Sequence, residues 1–383
     1  MARVYLATAA EHDAVDARLV TAEAALASVE SKVPVHLDDY LPDPFVSGVT
    51  DCTAAIVAWA AAGHSEGLAT GGVRMRAAPG HYKYTPALSQ IMIRFTGNYD
   101  VEIDGRGATF EDLRDYTYPE TTRFIRFEGS GPGTGPGPKN VKVNFKWIGT
   151  YEAGTGLPGG CIVVESRDGT TIDEAYVETT GGREAWDSIK ASADPESDKT
   201  KGGRIRLKTT GTFYGYVSSH SGQDLRVEID ADDAGRTFFL YDTENVEIWA
   251  KSKNQRMTSP ITMYDSKGCS NIEVHWTDRE SDVVAGGGIT LQFKGSTPAM
   301  HRDIRIHFDI ANHVDSQLVA KPFHLLKGLT DSDGTAATTG RGHVLDGLTL
   351  SGEIDYSGAT PIATRDLITS YEAAGGELVA TPG

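Results

Sequence analysis

The segment Phe238-Phe-Leu-Tyr-Asp-Thr-Glu-Asn-Val-Glu-Ile-Trp249 contains two short strands on either side of a polar turn. The first strand is apolar, and the second alternates apolar and polar residues, as a half-buried strand does. Related units occur at 261–276, 289–308 and, less regularly, at 124–147, 162–177, 203–230 and 323–350. Irregular repeats of roughly 20 to 40 residues with short alternating strands are typical of a solenoid, in which each repeat packs on its neighbours.

Composition agrees with a strand-and-turn fold. The chain has 43 glycines among 383 residues, which suits many turns and argues against an all-helical protein. A β-sandwich is the main competitor, but it would not so persistently repeat the Asn/Asp-Ile/Val-x-Ile/Val sequence that begins each second strand. The sequence therefore predicts an all-β protein, a right-handed parallel β-helix.

A short α-helical coiled coil is expected before the β-helix. The apolar residues Val15, Leu19, Ala22, Leu26, Val29 and Val33 recur at alternating intervals of four and three residues, the heptad pattern that keeps one seam facing a partner helix. Pro34 then ends the helix. A parallel oligomer is the preferred interpretation, although a single amphipathic helix lying on the next domain fits the same pattern.

The segment between residues 48 and 110 has three signals in order. They are Gly48-Val-Thr-Asp-Cys-Thr-Ala-Ala-Ile-Val-Ala-Trp59, Val73-Arg-Met-Arg-Ala-Ala-Pro-Gly-His-Tyr-Lys-Tyr84 and Val101-Glu-Ile-Asp-Gly-Arg-Gly-Ala-Thr-Phe110. We interpret the first as a short helix, capped by Asp51 or Thr53, whose apolar face includes Ile56 and Trp59. The others indicate strands separated by a Pro-Gly turn and ended by a Gly-x-Gly turn.

This order resembles the opening of the pectate-lyase-like right-handed β-helix superfamily, as found in bacteriophage tailspike and tail fibre proteins. Cys52 stands where that pattern usually has a second Asp. The resemblance covers about sixty residues and implies a sealed solenoid end but no catalytic residue, so it bears on function only by analogy. It implies a homotrimer in the virion that meets other phage tail proteins through its N-terminus.

Four regions are predicted. They are an N-terminal helix or coiled coil (1–36), a β-helix capping segment (37–110), parallel β-helix rungs (111–362) and a C-terminal tail (363–383).

Charge and cysteine usage narrow the partners and the compartment. A formal net charge of −17 makes nucleic acid an unfavourable partner. The three cysteines, Cys52, Cys161 and Cys269, are far apart and indicate reduced thiols. The sequence shows neither a signal peptide nor a stretch long enough to span a bilayer. We therefore expect synthesis in a host cytoplasm, release by lysis and no membrane partner.

Aligning the second strands predicts which side chains face outward. The inward set is Leu225, Val227, Ile229, Val246, Ile248, Ile272, Val274, Ile304, Ile306 and Phe308. Because side chains alternate along a strand, the intervening residues form outward columns on stacked strands. These columns are Arg226–Glu247–Glu273–Arg305, Glu228–Trp249–His275–His307 and Asp230–Lys251–Thr277–Asp309.

The columns permit three interpretations. An outward Trp249 among carboxylates, imidazoles and guanidiniums suits a sugar-binding face, with Arg226 and Arg305 as further contacts. The opposite charges can instead simply stabilise the sheet, by about 0.2–1 kcal/mol for each pair. The third interpretation is catalysis, with Glu247 and Glu273 as the first pair, Glu228 and Asp230 as other acids, and His275 or His307 as proton donors.

A second aromatic column, Tyr241–Tyr264, is expected on the first strands as a further candidate for substrate binding, although packing is the commoner role of stacked tyrosines. His220, His301 and His313 lack metal-ligand spacing, so no metal site is predicted. No dinucleotide fingerprint or phosphate loop occurs, so no cofactor is expected.

Three functional hypotheses follow. The first is a phage tail fibre or tailspike-like virion protein that binds bacterial surface polysaccharide for host attachment. The second is a polysaccharide depolymerase of the tailspike type, either a glycoside hydrolase or a lyase. The third is a purely structural tail or baseplate component.

Overall fold

The computed structural model describes most of the chain between residues 33 and 355. The described ranges are 33–87, 90–114, 123–129, 137–149, 160–165, 170–189, 200–219, 222–241, 243–256, 259–263, 269–279, 289–293, 300–311, 323–324, 344–355 and 377–379. The predicted coiled coil lies outside these residues, except for its last position, Val33.

The described chain contains one 3₁₀ turn, Leu37–Tyr40, and one α-helix, α1, Thr53–Thr70. The first twelve strands are β1 Val35–His36, β2 Gly72–Arg76, β3 Gly80–Tyr84, β4 Ile93–Thr96, β5 Asp100–Asp112, β6 Arg123–Glu128, β7 Lys139–Ile148, β8 Gly160–Glu165, β9 Ile172–Thr180, β10 Glu184–Ile189, β11 Thr200–Lys201 and β12 Arg204–Thr210. The others are β13 Tyr214–Ser219, β14 Gly222–Asp232, β15 Arg236–Tyr241, β16 Glu244–Lys253, β17 Ser259–Met263, β18 Ser270–Arg279, β19 Ile289–Phe293, β20 Met300–Ala311, β21 Phe323–His324, β22 Val344–Asp355 and β23 Glu377–Val379.

These strands form two stacked parallel sheets. The long sheet follows the order β1-β2-β5-β7-β9-β12-β14-β16-β18-β20-β22-β23, with β3 beside β5 and β11 beside β14. The short sheet follows β21-β19-β17-β15-β13-β10-β8-β6-β4. From β2 to β22, successive strands of the long sheet are separated in sequence by a strand of the short sheet, so the chain coils through both sheets. The predicted parallel β-helix is confirmed.

The core lies between the two sheets. Val246 and Ile248 of β16 are buried, as are Ile272 and Val274 of β18, which pair with them in register. The predicted inward set is buried throughout, apart from the half-buried Phe308. Each Val, Ile or Leu that leaves water in this way stabilises the fold by about 1.5–3 kcal/mol.

Helix α1 covers the N-terminal end of this core. The N-cap position is Cys52, which makes no side-chain capping hydrogen bond, so the cap is neither of the two residues expected from sequence. Asp51, just before it, accepts hydrogen bonds at Oδ1 from the backbone N–H of Thr53 at 2.9 Å and from its hydroxyl at 2.5 Å. Trp59 is fully buried, packs on Phe110 with ring centroids 6.3 Å apart and donates its indole N–H to the carbonyl of Val35. The helix expected in the capping segment is present, and at 18 residues it is longer than predicted.

An Asn or Asp with a left-handed backbone conformation stands just before the inward apolar residues of each long-sheet strand from β14 to β20, where the chain turns into that sheet. Asp224, Asn245, Asn271 and Asp303 have φ angles of 55°, 52°, 50° and 50°. Asn and Asp tolerate this left-handed conformation better than other side chains with a Cβ. Asn245 Nδ2 donates to Asp224 Oδ1 at 3.0 Å, and Asn271 Nδ2 donates to Asn245 Oδ1 at 2.9 Å. This ladder explains why Asn or Asp recurs before Ile or Val.

Replacing Asn245 by alanine is expected to lower the free energy of unfolding by about 2 kcal/mol, because Ala strains the left-handed backbone and both ladder hydrogen bonds are lost. Asn245→Gly loses the same hydrogen bonds without that strain, so its effect is expected to be smaller. Urea denaturation followed by circular dichroism measures both variants. Equal losses would contradict a cost from the left-handed backbone.

Candidate functional site

The outward columns predicted from sequence form on the surface of the long sheet. Strand register places Glu228, Trp249, His275 and His307 side by side on β14, β16, β18 and β20. The same pairing aligns Arg226–Glu247–Glu273–Arg305 and Asp230–Lys251–Thr277–Asp309. The geometry of all three columns is confirmed, whereas their role in binding or catalysis stays a prediction.

A groove of about 670 Å³ runs across this surface. Its outward-facing lining consists of Tyr176, Arg206, Lys208, Arg226, Glu228, Asp230, Trp249, Lys251, His275, Thr277, His307, Asp309 and Ser351. These residues come from seven neighbouring strands, β9 to β22. Parallel strands lie about 4.8 Å apart, so the two ends of the groove are roughly 29 Å from each other. The groove is therefore elongated along the solenoid axis.

Three stacked rings occupy the middle of the groove, and we call them the aromatic stack: Trp249, His275 and His307. The centroids of Trp249 and His275 are 3.8 Å apart with an interplanar angle of 13°, and those of His275 and His307 are 4.8 Å apart at 21°. The guanidinium of Arg226 lies 5.3 Å from the Trp249 ring. Trp249 is nevertheless 41% exposed. It presents a large apolar surface to solvent among polar groups.

Glu228 is held as a carboxylate by two arginines. Arg204 donates to both of its oxygens, at 2.9 and 2.7 Å, and Arg226 donates to Oε1 at 3.0 Å. Burial alone would raise the pKa of Glu228, but the hydrogen bonds and charges of Arg204 and Arg226 outweigh burial and lower it. A carboxylate stabilised in this way is a poor proton donor near neutral pH.

The other predicted catalytic pair lies beside the groove rather than in it. Glu247 accepts the indole N–H of Trp249 at 2.5 Å and lies 3.7 Å from Arg226. Glu273 contacts His275 Nε2 at 2.9 Å and Arg305 at 3.5 Å. Both carboxylates therefore have polar partners within the protein, and they contribute to a separate shallow depression with Asn245 and Asn271.

The predicted Tyr241–Tyr264 column is wrong in register. Tyr241 on β15 is level with Thr262, because the inward residues Leu240 and Ile261 pair with each other. Tyr264 lies outside the described residues. Tyr241 instead packs edge-on against Phe239 at 4.1 Å on the short sheet, away from the groove.

Sequence reasoning missed residues at both ends of the groove. Tyr176 and Arg206 continue the central column on β9 and β12, and Ser351 continues it on β22. The same alternation of inward and outward residues, applied to the less regular repeats, would have predicted these three positions. Those repeats are separated by longer connections: His307 and Ser351, for example, are 44 residues apart, whereas Asp224 and Asn245 are 21 apart.

Two rungs also bring together potential metal ligands. One atom each of Glu273, His275 and His307 lies within 4.8 Å of the other two. The expectation of no metal site rested on spacing along the chain, and these residues span two strands.

A buried charge cluster on the short sheet was also missed. Arg123 of β6 forms an ion pair with Glu184 of β10 and lies 3.5 Å from Asp187. Burial and the charge of Glu184 raise the pKa of Asp187 to about 7, although Arg123 and Arg183 oppose the shift. The cluster is enclosed, so we interpret it as a structural feature.

Comparison with known proteins gives structural neighbours only. No family model and no curated protein matches this chain. Among solved structures it is similar to PfbA, a surface adhesin of Streptococcus pneumoniae, with 11% identity, a TM-score of 0.39 and coverage of 87% of this chain and 96% of that chain. It is also similar to the A-modules of two mannuronan C-5 epimerases of Azotobacter vinelandii. The AlgE4 module has 11% identity and a TM-score of 0.27, and the match covers 86% of this chain and 100% of that chain. The AlgE6 module has 12% identity and a TM-score of 0.25, and the match covers 91% of this chain and 100% of that chain.

None of the helices in the described part of the chain is both long and apolar enough to cross a bilayer.

Asp187 is expected to make stability fall as pH rises from about 4 to about 7. Over that range the folded state keeps a proton on Asp187 that the unfolded chain has released. Asp187→Asn removes this contribution, on the order of 2–4 kcal/mol across the range. Urea denaturation at several pH values measures it as a difference in slope from the parent protein. The exposed Asp173, changed to Asn, is the control; parallel profiles for Asp187→Asn and the parent would contradict the prediction.

Only Trp249 among the five tryptophans is expected to be quenched by iodide, because Trp59, Trp147, Trp186 and Trp276 are each at most 2% exposed. Trp249→Phe should remove the quenchable part of the emission while leaving the rest. Stern–Volmer titrations of the two proteins measure this. Quenching that persists in the variant would show that another tryptophan reaches solvent.

Proposed function

We propose that this chain binds an extended bacterial surface polysaccharide in the groove, as a tail fibre or tailspike-like subunit of a bacteriophage. The exposed ring of Trp249 at the centre of the groove carries the proposal. A flat apolar ring among hydrogen-bonding groups matches a pyranose, which has an apolar face and a rim of hydroxyls.

The shape of the groove favours a polymer over a compact ligand. It is open, roughly 29 Å long and bounded by side chains from successive rungs. A linear glycan lying along the solenoid axis would contact a side chain of the central column at each rung. The alternation of donors and acceptors in that column suits sugar hydroxyls.

Charge in the groove is mixed rather than basic. Its lining has four basic side chains, Arg206, Lys208, Arg226 and Lys251, and three acidic ones, Glu228, Asp230 and Asp309. Arg206 pairs with Glu174, and Arg226 pairs with Glu228, so part of the positive charge is already neutralised. A neutral or weakly charged glycan is therefore a better ligand than a strongly anionic one, and the net charge of −17 disfavours nucleic acid.

The virion assignment belongs to the same proposal. It is supported by the resemblance of residues 48–110 to tailspike openings and by the apolar spacing of residues 15–33. A homotrimer joined to other tail proteins through the N-terminal segment would display three long sheets.

Binding is proposed rather than bond cleavage. Glu228 is paired with two arginines and has a lowered pKa, so it does not suit the role of general acid. Glu247 and Glu273 lie beside the groove and contact their own polar partners. The depolymerase hypothesis therefore has no observation in its favour at these residues.

The test exposes the full chain to a panel of bacterial capsule and cell-wall polysaccharides, and follows both retention and polymer length. We expect retention of one polymer at unchanged length. Trp249→Ala should weaken that retention more than about tenfold, because stacking aromatics dominate contacts of this kind.

Tyr241→Ala is the matched control, since it removes an outer-face aromatic from the other sheet. It should leave retention unchanged. Shortening of the polymer, lost on Glu247→Gln or Glu273→Gln, would replace the proposal with a depolymerase. Failure to retain any polymer would favour a structural tail component.

A further inference from the structure

We propose that Glu273, His275 and His307 form a binding site for one divalent transition-metal ion, with zinc the best match. Two imidazoles and one carboxylate are a common ligand set for zinc. Calcium and magnesium prefer oxygen ligands, so this set disfavours them.

Distances between the ligand atoms already approach those of a metal site. Glu273 Oε1 lies 2.9 Å from His275 Nε2 and 3.7 Å from His307 Nε2. Zinc bonds of about 2.0–2.2 Å in tetrahedral geometry place neighbouring ligand atoms roughly 3.4 Å apart. The two observed distances lie on either side of that value.

The imidazoles need to tilt to bind the same ion. Their rings are stacked 4.8 Å apart at 21°, whereas a metal ion lies in the plane of each ring that binds it. Rotation about the Cβ–Cγ bond of histidine is a soft torsion, so the rings can turn toward each other without movement of the strands. The strand pairing of β18 and β20 keeps both histidines at adjacent positions.

Neighbouring groups orient the ligands. His307 Nδ1 lies 2.6 Å from Ser351 Oγ, and a Nδ1–H that donates to this hydroxyl leaves the lone pair on Nε2, facing Glu273. Arg305 contacts the far oxygen of Glu273, Oε2, at 3.5 Å and leaves Oε1 toward the imidazoles. The positive charge of Arg305 opposes a cation, so we expect micromolar rather than nanomolar affinity.

Three protein ligands leave a coordination position for water or another oxygen. His275 and His307 line the groove, so that position is at its edge. If a glycan occupies the groove, its oxygens can reach the ion. This extension rests on the proposed function, whereas the metal site itself does not.

The experiment titrates zinc into the untagged full chain after chelator treatment, near neutral pH, by isothermal calorimetry. We expect saturable binding of one ion per chain. His307→Ala and Glu273→Gln should each weaken it more than about tenfold. His81→Ala is the matched control, because it removes another long-sheet histidine, with Nε2 2.8 Å from Glu111, and should leave the affinity unchanged.

A second readout uses Trp249, whose ring lies 3.8 Å from that of His275. Nickel, which imidazole also binds, should quench the Trp249 emission with the same dependence on Glu273 and His307. Circular dichroism verifies that the variants are folded. Absence of saturable zinc binding, or equal binding by the parent, His307→Ala and Glu273→Gln, would overturn the proposal.

Glycan retention with and without chelator separates this inference from the proposed function. Retention that persists without metal leaves the groove proposal intact, whatever the calorimetry shows. Loss of retention on chelation, together with loss in Glu273→Gln, would show that the ion takes part in ligand binding.

Discussion

The register of the parallel rungs is the constraint on which the outer surface depends. A slip of one residue would turn every side chain of a strand to the opposite face. Two features prevent such a slip in the long sheet. The inward residues, such as Val246 over Ile272, must meet across rungs, and the left-handed residues Asn245 and Asn271 must follow each other at the turn. Burial and turn geometry thus specify the same register.

That register places residues that are distant in sequence next to one another, so that they form one continuous surface. Trp249, His275 and His307 are far apart in sequence, yet their rings stack because each occupies the same position on its rung. Stacking on His275 limits the conformations of the Trp249 ring, which lowers the conformational cost of ordering that ring when a ligand binds. A regular backbone can therefore support a preorganised groove without a dedicated loop.

Charge is distributed so that the aromatic surface stays available. Glu228 pairs with Arg204 and Arg226, and Glu247 accepts a hydrogen bond from the Trp249 indole. These contacts satisfy the polar rim of the stack while the Trp249 side chain as a whole stays 41% exposed. Exposed ion pairs contribute little to stability on their own. Their main effect here is to hold side chains in position around the ring.

The parallel β-helix and the outward columns follow from the sequence alone, because alternation along a strand and the Asn/Asp turn are local properties. The sequence did not predict the partner of Tyr241, because the inward pair Leu240–Ile261 sets the register and places Tyr241 level with Thr262. The pairing of Glu228 with two arginines and the convergence of Glu273, His275 and His307 are visible only in the folded chain. Such contacts depend on side-chain torsions and on rungs distant in sequence, which local patterns do not encode.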